Sequence, residues 1–291
     1  MSWRQFRSLL FLLAMIRLPL LFLFSFVALS LHSQRLGLPE SVKNLKAKFA
    51  PVHIVDSARL ECVYAVSEVD TVLDQARDHE VILLVGRDYS KFLDLYRYKK
   101  DSLYASHNFD MTWGEVTSLT ADFRESYKEE ILRDGNTFWV RKTFILDPME
   151  YGDSSVVMDW TLHSDTLTVC GYLCRKATTR FRGNSWEVWY SDDLPFDGGP
   201  WKFCNLPGLV LKASDACGLH DFTAVEVRLP HVAVIDTKRR WSRISREKYL
   251  ELSEAVADGR LRYSSPSNPI LDGDGNVIKS TRWFYSPLEL E

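Results

Sequence analysis

The run from residue 166 to residue 195, TLTVCGYLCRKATTRFRGNSWEVWYSDDLP, constrains the fold more than any other part of the chain. Two segments rich in aromatic and β-branched residues, 166–181 and 186–190, flank Arg182-Gly183-Asn184-Ser185. The Gly-Asn pair can supply the positive φ angles that a tight turn requires. The run therefore predicts an antiparallel hairpin near the middle of the chain.

Similar strand patterns recur elsewhere, and helical patterns are few. Aromatic residues make up 13% of the chain, which favours sheet faces. Further strands are predicted at 80–85, 137–145, 156–162, 209–212 and 222–229. One helix is predicted at 246–258, between the cap Ser245 and Gly259, and another follows Thr120, where four apolar residues recur at spacing four until Gly135. We predict a mainly β (α+β) fold, with one curved antiparallel sheet as a half-barrel or sandwich and two or three short helices.

The first residues predict export. Arg4 and Arg7 precede an apolar stretch at 9–31 that Arg17 interrupts. This pattern is typical of a signal peptide at residues 1–33 with cleavage before Gln34, because Arg17 would be costly in a membrane-spanning helix. The alternative is an uncleaved anchor at 9–31. We expect a single β-rich domain at 34–291, soluble after cleavage, in the periplasm or cell envelope.

In an oxidising compartment the five cysteines are disulfide candidates. They are Cys62, Cys170, Cys174, Cys204 and Cys217. Cys170 and Cys174 would share one strand face, but about 13 Å of extended chain separates them, which is beyond disulfide reach. The connectivity stays open, and the odd number leaves at least one thiol without a partner in the chain.

Two local motifs resemble reactive or metal-binding groups. Cys217-Gly-Leu-His220-Asp221 could form a nucleophile or half of a metal site, but a turn with Cys217 in a disulfide explains it more simply. Asp272-Gly-Asp274-Gly-Asn276 resembles the start of a calcium loop, but Val277 and Trp283 stand where Gly and Glu are needed, so we predict a hairpin. No metal and no cofactor is predicted.

The net charge of −3 argues against a nucleic-acid partner. The expected binding surface is a groove on one sheet face, for a hydrophobic ligand, a peptide or an outer-membrane or envelope protein. Its candidate residues are Lys176, Trp186, Trp189, Tyr190 and Trp201. Packing of the sheet core explains the aromatic residues as well.

Residues 160–215 resemble the GLPGLI family, exported proteins of Bacteroidota that are named after their own motif. The similar features are a GY-x-C-x-KA strand, an F-x-G hairpin, a W-Y strand and a GPW-x-F segment. The signature itself departs at two positions, with Asn205 for the first Gly and Val210 for the last Ile. The motif residues are Gly199, Pro200, Trp201, Phe203, Leu206, Pro207, Gly208 and Leu209. The resemblance implies no reaction, and the motif is expected to determine shape.

Because no catalytic set is evident, the main prediction is a non-enzymatic binding or accessory protein of the envelope. The alternative is an envelope or extracellular hydrolase that acts on glycans or peptides. That alternative requires at least two members of one polar set to converge in a single cleft. The set is Asp192, Asp193, Asp215, His220 and Asp221.

Overall fold

The computed structural model describes residues 38–145, 147–230, 232–237, 240–259 and 283–290. The predicted signal peptide and the predicted hairpin at 272–276 lie outside these residues. The described residues divide into two compact units, one within Met1–Ala47 and Asp110–Ala121 and the other within Lys48–Phe109 and Asp122–Glu291. In the described part of the chain, no helix has both the length and the apolar character to cross a membrane.

The described residues form four short helices and fourteen strands. The helices are α1 (Glu40–Lys43), α2 (Leu95–Ser106), α3 (Trp113–Leu119) and α4 (Arg246–Ala257). The strands are β1 (Val52–Ala58), β2 (Leu60–Asp70), β3 (Gln75–Val85), β4 (Tyr89–Asp94), β5 (Glu130–Asp134), β6 (Thr137–Phe144), β7 (Asp147–Asp153), β8 (Thr161–Val169), β9 (Tyr172–Phe181), β10 (Asn184–Ser191), β11 (Leu209–Asp215), β12 (His220–Arg228), β13 (Val232–Thr237) and β14 (Ser242–Arg243).

The smaller unit holds α1 and α3. A single antiparallel bridge between Lys46 and Thr112 connects its two chain segments. Thr112 caps α3 and forms a capping box with Glu115, in which each side chain bonds the backbone N–H of the other residue. This unit contains no strand among its described residues.

The larger unit is built on one twelve-stranded sheet in the order β14-β7-β6-β5-β4-β3-β2-β12-β11-β10-β9-β8. Every neighbouring pair is antiparallel except β14 with β7. The sheet is not closed into a barrel, since β14 and β8 remain its two edges among the described strands. β1 and β13 form a separate antiparallel ribbon. The predicted mainly β fold is confirmed.

Alternation along the strands separates two apolar layers. Tyr64 and Val66 of β2 and Trp186 of β10 belong to the main core, against which α4 and the 195–208 loop also pack. Val63 of β2 faces the other way and packs with Ile82 and Val234 in a smaller cluster. Successive side chains of a strand point to opposite faces, so one strand can serve both layers.

The central run contains two hairpins where the sequence predicted one. β8 and β9 meet at Cys170-Gly171, whose φ angles are +51° and +84°, and β9 and β10 meet at Arg182-Gly183, at +51° and +83°. The single strand predicted at 166–181 is therefore wrong, because Cys170 lies in the first turn and not on a strand face. The second turn forms as predicted, shifted by one residue toward Arg182.

The helix predicted after Thr120 is also wrong. α3 ends at Leu119, residues 123–129 are irregular, and β5 begins at Glu130. The carboxylate of Asp94 accepts hydrogen bonds from the amides of Ser126 and Tyr127, at 2.9 Å and 3.0 Å, and so replaces the bonds a helix would supply. The second predicted helix is confirmed as α4, with Ser245 as its cap.

The motif loop at 195–208 crosses the core as an irregular segment. Its apolar side chains Trp201, Phe203 and Leu206 are buried. A Cβ added at Gly208 would lie 1.9 Å from the carbonyl oxygen of Ser191, so only glycine fits there. Asn205 adopts a φ of +66°, the conformation in which Asn is the best-tolerated replacement for glycine.

All five cysteines have free thiols, so the predicted disulfides, including one at Cys217, are wrong. Cys62, Cys174 and Cys204 are buried, whereas Cys170 and Cys217 are exposed in two separate turns. Burial raises the pKa of the Cys174 thiol to about 11.

Replacing Trp201 with Ala should cost about 3–5 kcal/mol of unfolding free energy, as for other buried aromatic residues. Trp201 is only 3% exposed and packs on Phe181, Trp186 and Phe203. Urea unfolding followed by fluorescence measures the change. Trp283, which is 65% exposed, provides the matched control Trp283→Ala. Equal unfolding midpoints for the two variants would contradict a structural role for Trp201.

A thiol reagent should label the native chain at Cys170 and Cys217 by the earliest time at which the reaction can be quenched, and should leave Cys174 unlabelled. The exposed thiols meet the reagent directly, whereas Cys174 has no exposed surface and a raised pKa. Peptide mass spectrometry after timed quenching identifies the labelled positions. Rapid labelling of Cys174 would contradict the assigned register of β9.

Candidate active site

A cavity of about 140 Å³ opens on the main-core side of the sheet in the larger unit. Its walls come from β2, β3, the segment before β5, β7, α4 and the last described residues of the chain. The polar side chains that line it include Glu68, Arg77, His79, Tyr127, Lys128, Glu129, Lys142, Tyr151, Tyr249, Ser253, Ser286 and Glu289. The cavity is smaller than a typical drug-sized pocket, so it has room for one end of a substrate.

Glu68 and His79 form a buried acid–imidazole pair in this cavity. Both side chains lie on the inward face of their strands, because Val66 of β2 is directly opposite His79 of β3. A carboxylate oxygen of Glu68 lies 3.1 Å from His79 Nε2. Neither ring nitrogen, Nδ1 nor Nε2, has a hydrogen-bond partner among the described residues, so the contact with Glu68 is a close approach without hydrogen-bond geometry. A buried imidazole nitrogen without a partner costs free energy unless a ligand or water satisfies it.

Tyr127 stands beside this pair and presents a second unsatisfied group. Its ring packs edge-on against His79, with 5.9 Å between ring centroids. Its hydroxyl is buried and has no partner within the described part of the chain. Burial, together with the negative charges of Glu129 and Glu68, raises the pKa of Tyr127 well above its ordinary value. The hydroxyl is therefore protonated at neutral pH and can donate a hydrogen bond.

Asp94, the last residue of β4, fixes the position of Tyr127 by accepting a hydrogen bond from its backbone amide. One of its carboxylate oxygens accepts from the amides of Ser126 and Tyr127, and the other caps α2 by accepting from Tyr96 and Arg97. The side chain is almost completely buried. One carboxylate thus fixes both the start of α2 and the segment that carries Tyr127.

Glu129 and Tyr249 form the opposite wall. Tyr249 of α4 donates a hydrogen bond of 2.9 Å to Glu129 from a ring that also packs on Tyr151, with 4.8 Å between ring centroids. Burial and then the charge of Glu129 raise the pKa of Tyr249 well above its ordinary value. The tyrosine therefore keeps its proton and holds the Glu129 carboxylate in one orientation.

A buried ion cluster closes the base of the site. Lys202 has no exposed surface and donates to Asp153 at 2.9 Å, to the Tyr151 hydroxyl at 3.0 Å and to Glu289. Arg182 pairs with Asp153, and Arg246 pairs with Glu289. The cluster ties the chain's last described segment to β7 and α4.

Asp215, His220 and Ser286 are arranged in space like the acid, imidazole and hydroxyl of a hydrolase triad. His220 Nε2 is 2.8 Å from Ser286 Oγ, and its Nδ1 is 3.6 Å from a carboxylate oxygen of Asp215. The Ser286 hydroxyl, however, donates its only proton to Val69 O at 2.8 Å, so His220 Nε2 is the donor to Ser286. That direction is opposite to the one that activates a nucleophile. The three residues therefore anchor the terminal segment.

The structure separates the residues of the predicted groove. Trp186, Tyr190 and Trp201 are buried in the main core, and only Trp201 borders the cavity. Lys176 and Trp189 face the other side of the sheet, where Lys176 pairs with Glu187. Side chains of opposite parity on β10 point to opposite faces, so these five do not form one surface.

Of the polar set predicted for a hydrolase, only two members come together. Asp215 and His220 are buried side by side, whereas Asp192 and Asp221 pair with surface cations and Asp193 is exposed. Among the described residues, no three acidic, histidine or cysteine side chains form a group that could hold a metal. Glu68, His79, Tyr127, Glu129 and Tyr249 were missed, because they come from four elements and no sequence spacing connects them.

The family model described as N-glycanase peptide, N-terminal domain, matches residues 148–242, about a third of the chain. Two crystal structures of PNGF-II are similar in fold. The one in space group P21 has 18% identity and a TM-score of 0.46, and covers 68% of this chain and 33% of its own. The one in C2 has 19% identity and a TM-score of 0.45, with coverages of 66% and 32%.

This chain thus spans about a third of the length of those two structures. No curated protein matches it. The predicted non-enzymatic accessory protein is contradicted by the match to an N-glycanase domain, and the hydrolase alternative fits better.

The ion cluster predicts how stability depends on pH. Burial alone would raise the pKa of Asp153, but Lys202 and Arg182 together lower it below its ordinary 3.8. The carboxylate therefore binds its proton more weakly in the folded chain than in the unfolded one. Its contribution to stability is complete above about pH 4 and is lost as the pH falls further.

Asp153→Asn should lower the urea midpoint at pH 7 and flatten its decline between pH 5 and pH 3. Urea titrations across this pH range measure both effects. The control Asp192→Asn alters a carboxylate in an exposed ion pair, and its midpoints should follow those of the parent chain. If the urea midpoint of Asp153→Asn fell between pH 5 and pH 3 as steeply as that of the parent chain, the assigned ion cluster would be wrong.

Proposed function

We propose that this chain is part of an exported hydrolase that acts on glycan-bearing substrates, with its reaction site in the cavity of Glu68, His79, Tyr127 and Glu129. The observation that carries the proposal is the pairing of a buried imidazole with a carboxylate beside a second carboxylate and an unpartnered tyrosine. Groups of this kind perform general acid–base chemistry. The match of residues 148–242 to an N-glycanase domain supports the glycan as the substrate class.

In the proposed reaction, the Glu68–His79 pair accepts a proton from a water molecule. The oxygen of that water forms a bond to the substrate carbon, and the bond from this carbon to the leaving group breaks. Glu68 stabilises the positive charge that His79 acquires, because its carboxylate lies 3.1 Å from Nε2. The proton then passes to the leaving group, so the imidazole returns to its starting form.

Tyr127 and Glu129 have complementary roles in this proposal. The Tyr127 hydroxyl keeps its proton and donates a hydrogen bond to the substrate oxygen that gains negative charge. Tyr249 holds Glu129, and the oriented carboxylate accepts hydrogen bonds from substrate hydroxyls. Because both groups are oriented before the substrate arrives, they need no rearrangement during the reaction.

The chain's location and family are proposed from the sequence. Arg4, Arg7 and the apolar stretch at 9–31 support export to the periplasm or cell envelope. The GLPGLI-like residues 160–215 lie within the segment matched by the N-glycanase domain, so both resemblances concern the same strands. An outer-membrane or envelope partner stays a prediction.

Replacing His79 with Asn should lower kcat by about 10²–10⁴-fold, because the variant loses the proton acceptor. The substrate is a panel of denatured glycoproteins, and mass spectrometry quantifies released oligosaccharides and altered peptides. The matched control is His163→Asn, since His163 lies on the edge strand β8 and bonds only the Thr178 hydroxyl in the described contacts.

The parent chain and His163→Asn should release product at equal rates. Failure of the parent chain to release any product would overturn the proposal, as would full activity of folded His79→Asn. Matching circular dichroism spectra of the two variants show that the comparison is between folded proteins.

A further inference from the structure

We infer that the cavity receives a negatively charged group of an acidic glycan, a sugar bearing a carboxylate or a sulfate. This inference rests on the proposed function for the glycan, and on the charges around the cavity for its acidity. Three cations, Arg77, Lys128 and Lys142, line the opening. Within the described residues, none of the three has a carboxylate oxygen within 4.0 Å.

The three acidic residues of the cavity are already engaged with its walls. Glu68 pairs with His79, Glu129 accepts from Tyr249, and Glu289 pairs with Lys202 and Arg246. The cavity lining therefore carries three carboxylates and three cations, but the carboxylates are bonded to the walls, and none of their oxygens lies within 4.0 Å of a cation at the opening. An anionic group of a ligand can therefore pair with these cations without displacing an existing ion pair.

The interior of the cavity adds hydrogen-bonding groups that have no protein partner. The Tyr127 hydroxyl, the Ser253 hydroxyl and His79 Nδ1 are all buried and unsatisfied by described residues. Their residues are only 7%, 5% and 7% exposed, so bulk water does not satisfy them. A polar ring with several hydroxyls supplies both donors and acceptors for such groups. An apolar ligand would leave all three unpaired.

Arg77 is the cation best placed to orient the anion. Its guanidinium lies 4.4 Å from the centroid of the Phe284 ring, a cation–π contact that restricts its planar fork. A planar guanidinium forms two parallel hydrogen bonds to a carboxylate or sulfate. Lys142 lies over the Phe144 ring at 5.5 Å, and Lys128 is bonded to the carbonyl of Glu125 at 2.8 Å. All three cations are therefore held near the opening by local contacts.

Calorimetric titration of the parent chain tests the inference with defined probes. The probes are glucuronate, glucose 6-sulfate, neutral glucose and an acetylated tetra-aspartate peptide. At least one acidic sugar should bind about tenfold or more tightly than glucose, because a charge-assisted hydrogen bond contributes about that much. The preferred acidic sugar identifies the carboxylate or the sulfate as the anion.

The triple variant Arg77→Gln, Lys128→Gln, Lys142→Gln should abolish this preference. The matched control replaces Arg175, Lys176 and Lys212 with Gln, three cations of strands β9 and β11 that lie outside the cavity lining. It should keep the preference, and Arg77→Gln alone should remove part of it.

Three results would overturn the inference: equal binding of glucose and the acidic sugars, tighter binding of the acidic peptide than of any sugar, or an unchanged preference in the cavity variant. These results are separate from the test of the proposed function. Hydrolysis of neutral glycans by the parent chain would leave the hydrolase proposal intact even if the acidic preference failed. Acidic-sugar binding without hydrolysis would support the ligand class and contradict the reaction.

Discussion

The cavity depends on the ion pairs of the buried Lys202 ammonium group. An uncompensated charge in the interior would cost several kcal/mol, and Asp153 and Glu289 provide the compensation. These two acids belong to β7 and to the last described segment, so the requirement for neutrality holds distant parts of the chain together. Arg182 forms a second ion pair with Asp153, and Arg246 forms a second ion pair with Glu289. The wall that contains Ser286 is positioned by this network.

Another group of buried charges in the sheet is paired throughout. Arg141 of β6 lies between Glu130 of β5 and Glu150 of β7 and also contacts Asp236. Lys91 completes this group by pairing with Glu130. Unsatisfied buried polar atoms also occur outside the cavity, for example at Trp186 and His220, but three of the residues that carry them, His79, Tyr127 and Ser253, line this one cavity. Buried polar groups are normally paired, so a cluster of unpaired ones is best explained by a ligand site.

The strands and one helix could be predicted because their signals are local. Alternation and turn residues indicated the hairpin before Trp186, and Ser245 with Gly259 marked the ends of α4. The prediction failed where a distant side chain decided the local conformation. The spacing of Phe123 and Tyr127 is helical, but Asp94, about thirty residues earlier in the chain, takes the amide bonds that a helix would need.

The sequence by itself determined the β-rich class, the motif loop around Trp201 and the neighbouring pair Asp215 and His220, because each is encoded within a few residues. Only the tertiary structure decided that Glu68, His79, Tyr127 and Glu129 meet in one cavity. Their proximity depends on the register of β2 with β3, on the hydrogen bond from the Tyr127 amide to Asp94, and on the hydrogen bond from Tyr249 of α4 to Glu129. Glu68 and His79 belong to one hairpin, but Tyr127, Glu129 and Tyr249 come from distant parts of the chain, and burial and hydrogen bonding across the larger unit bring them to it.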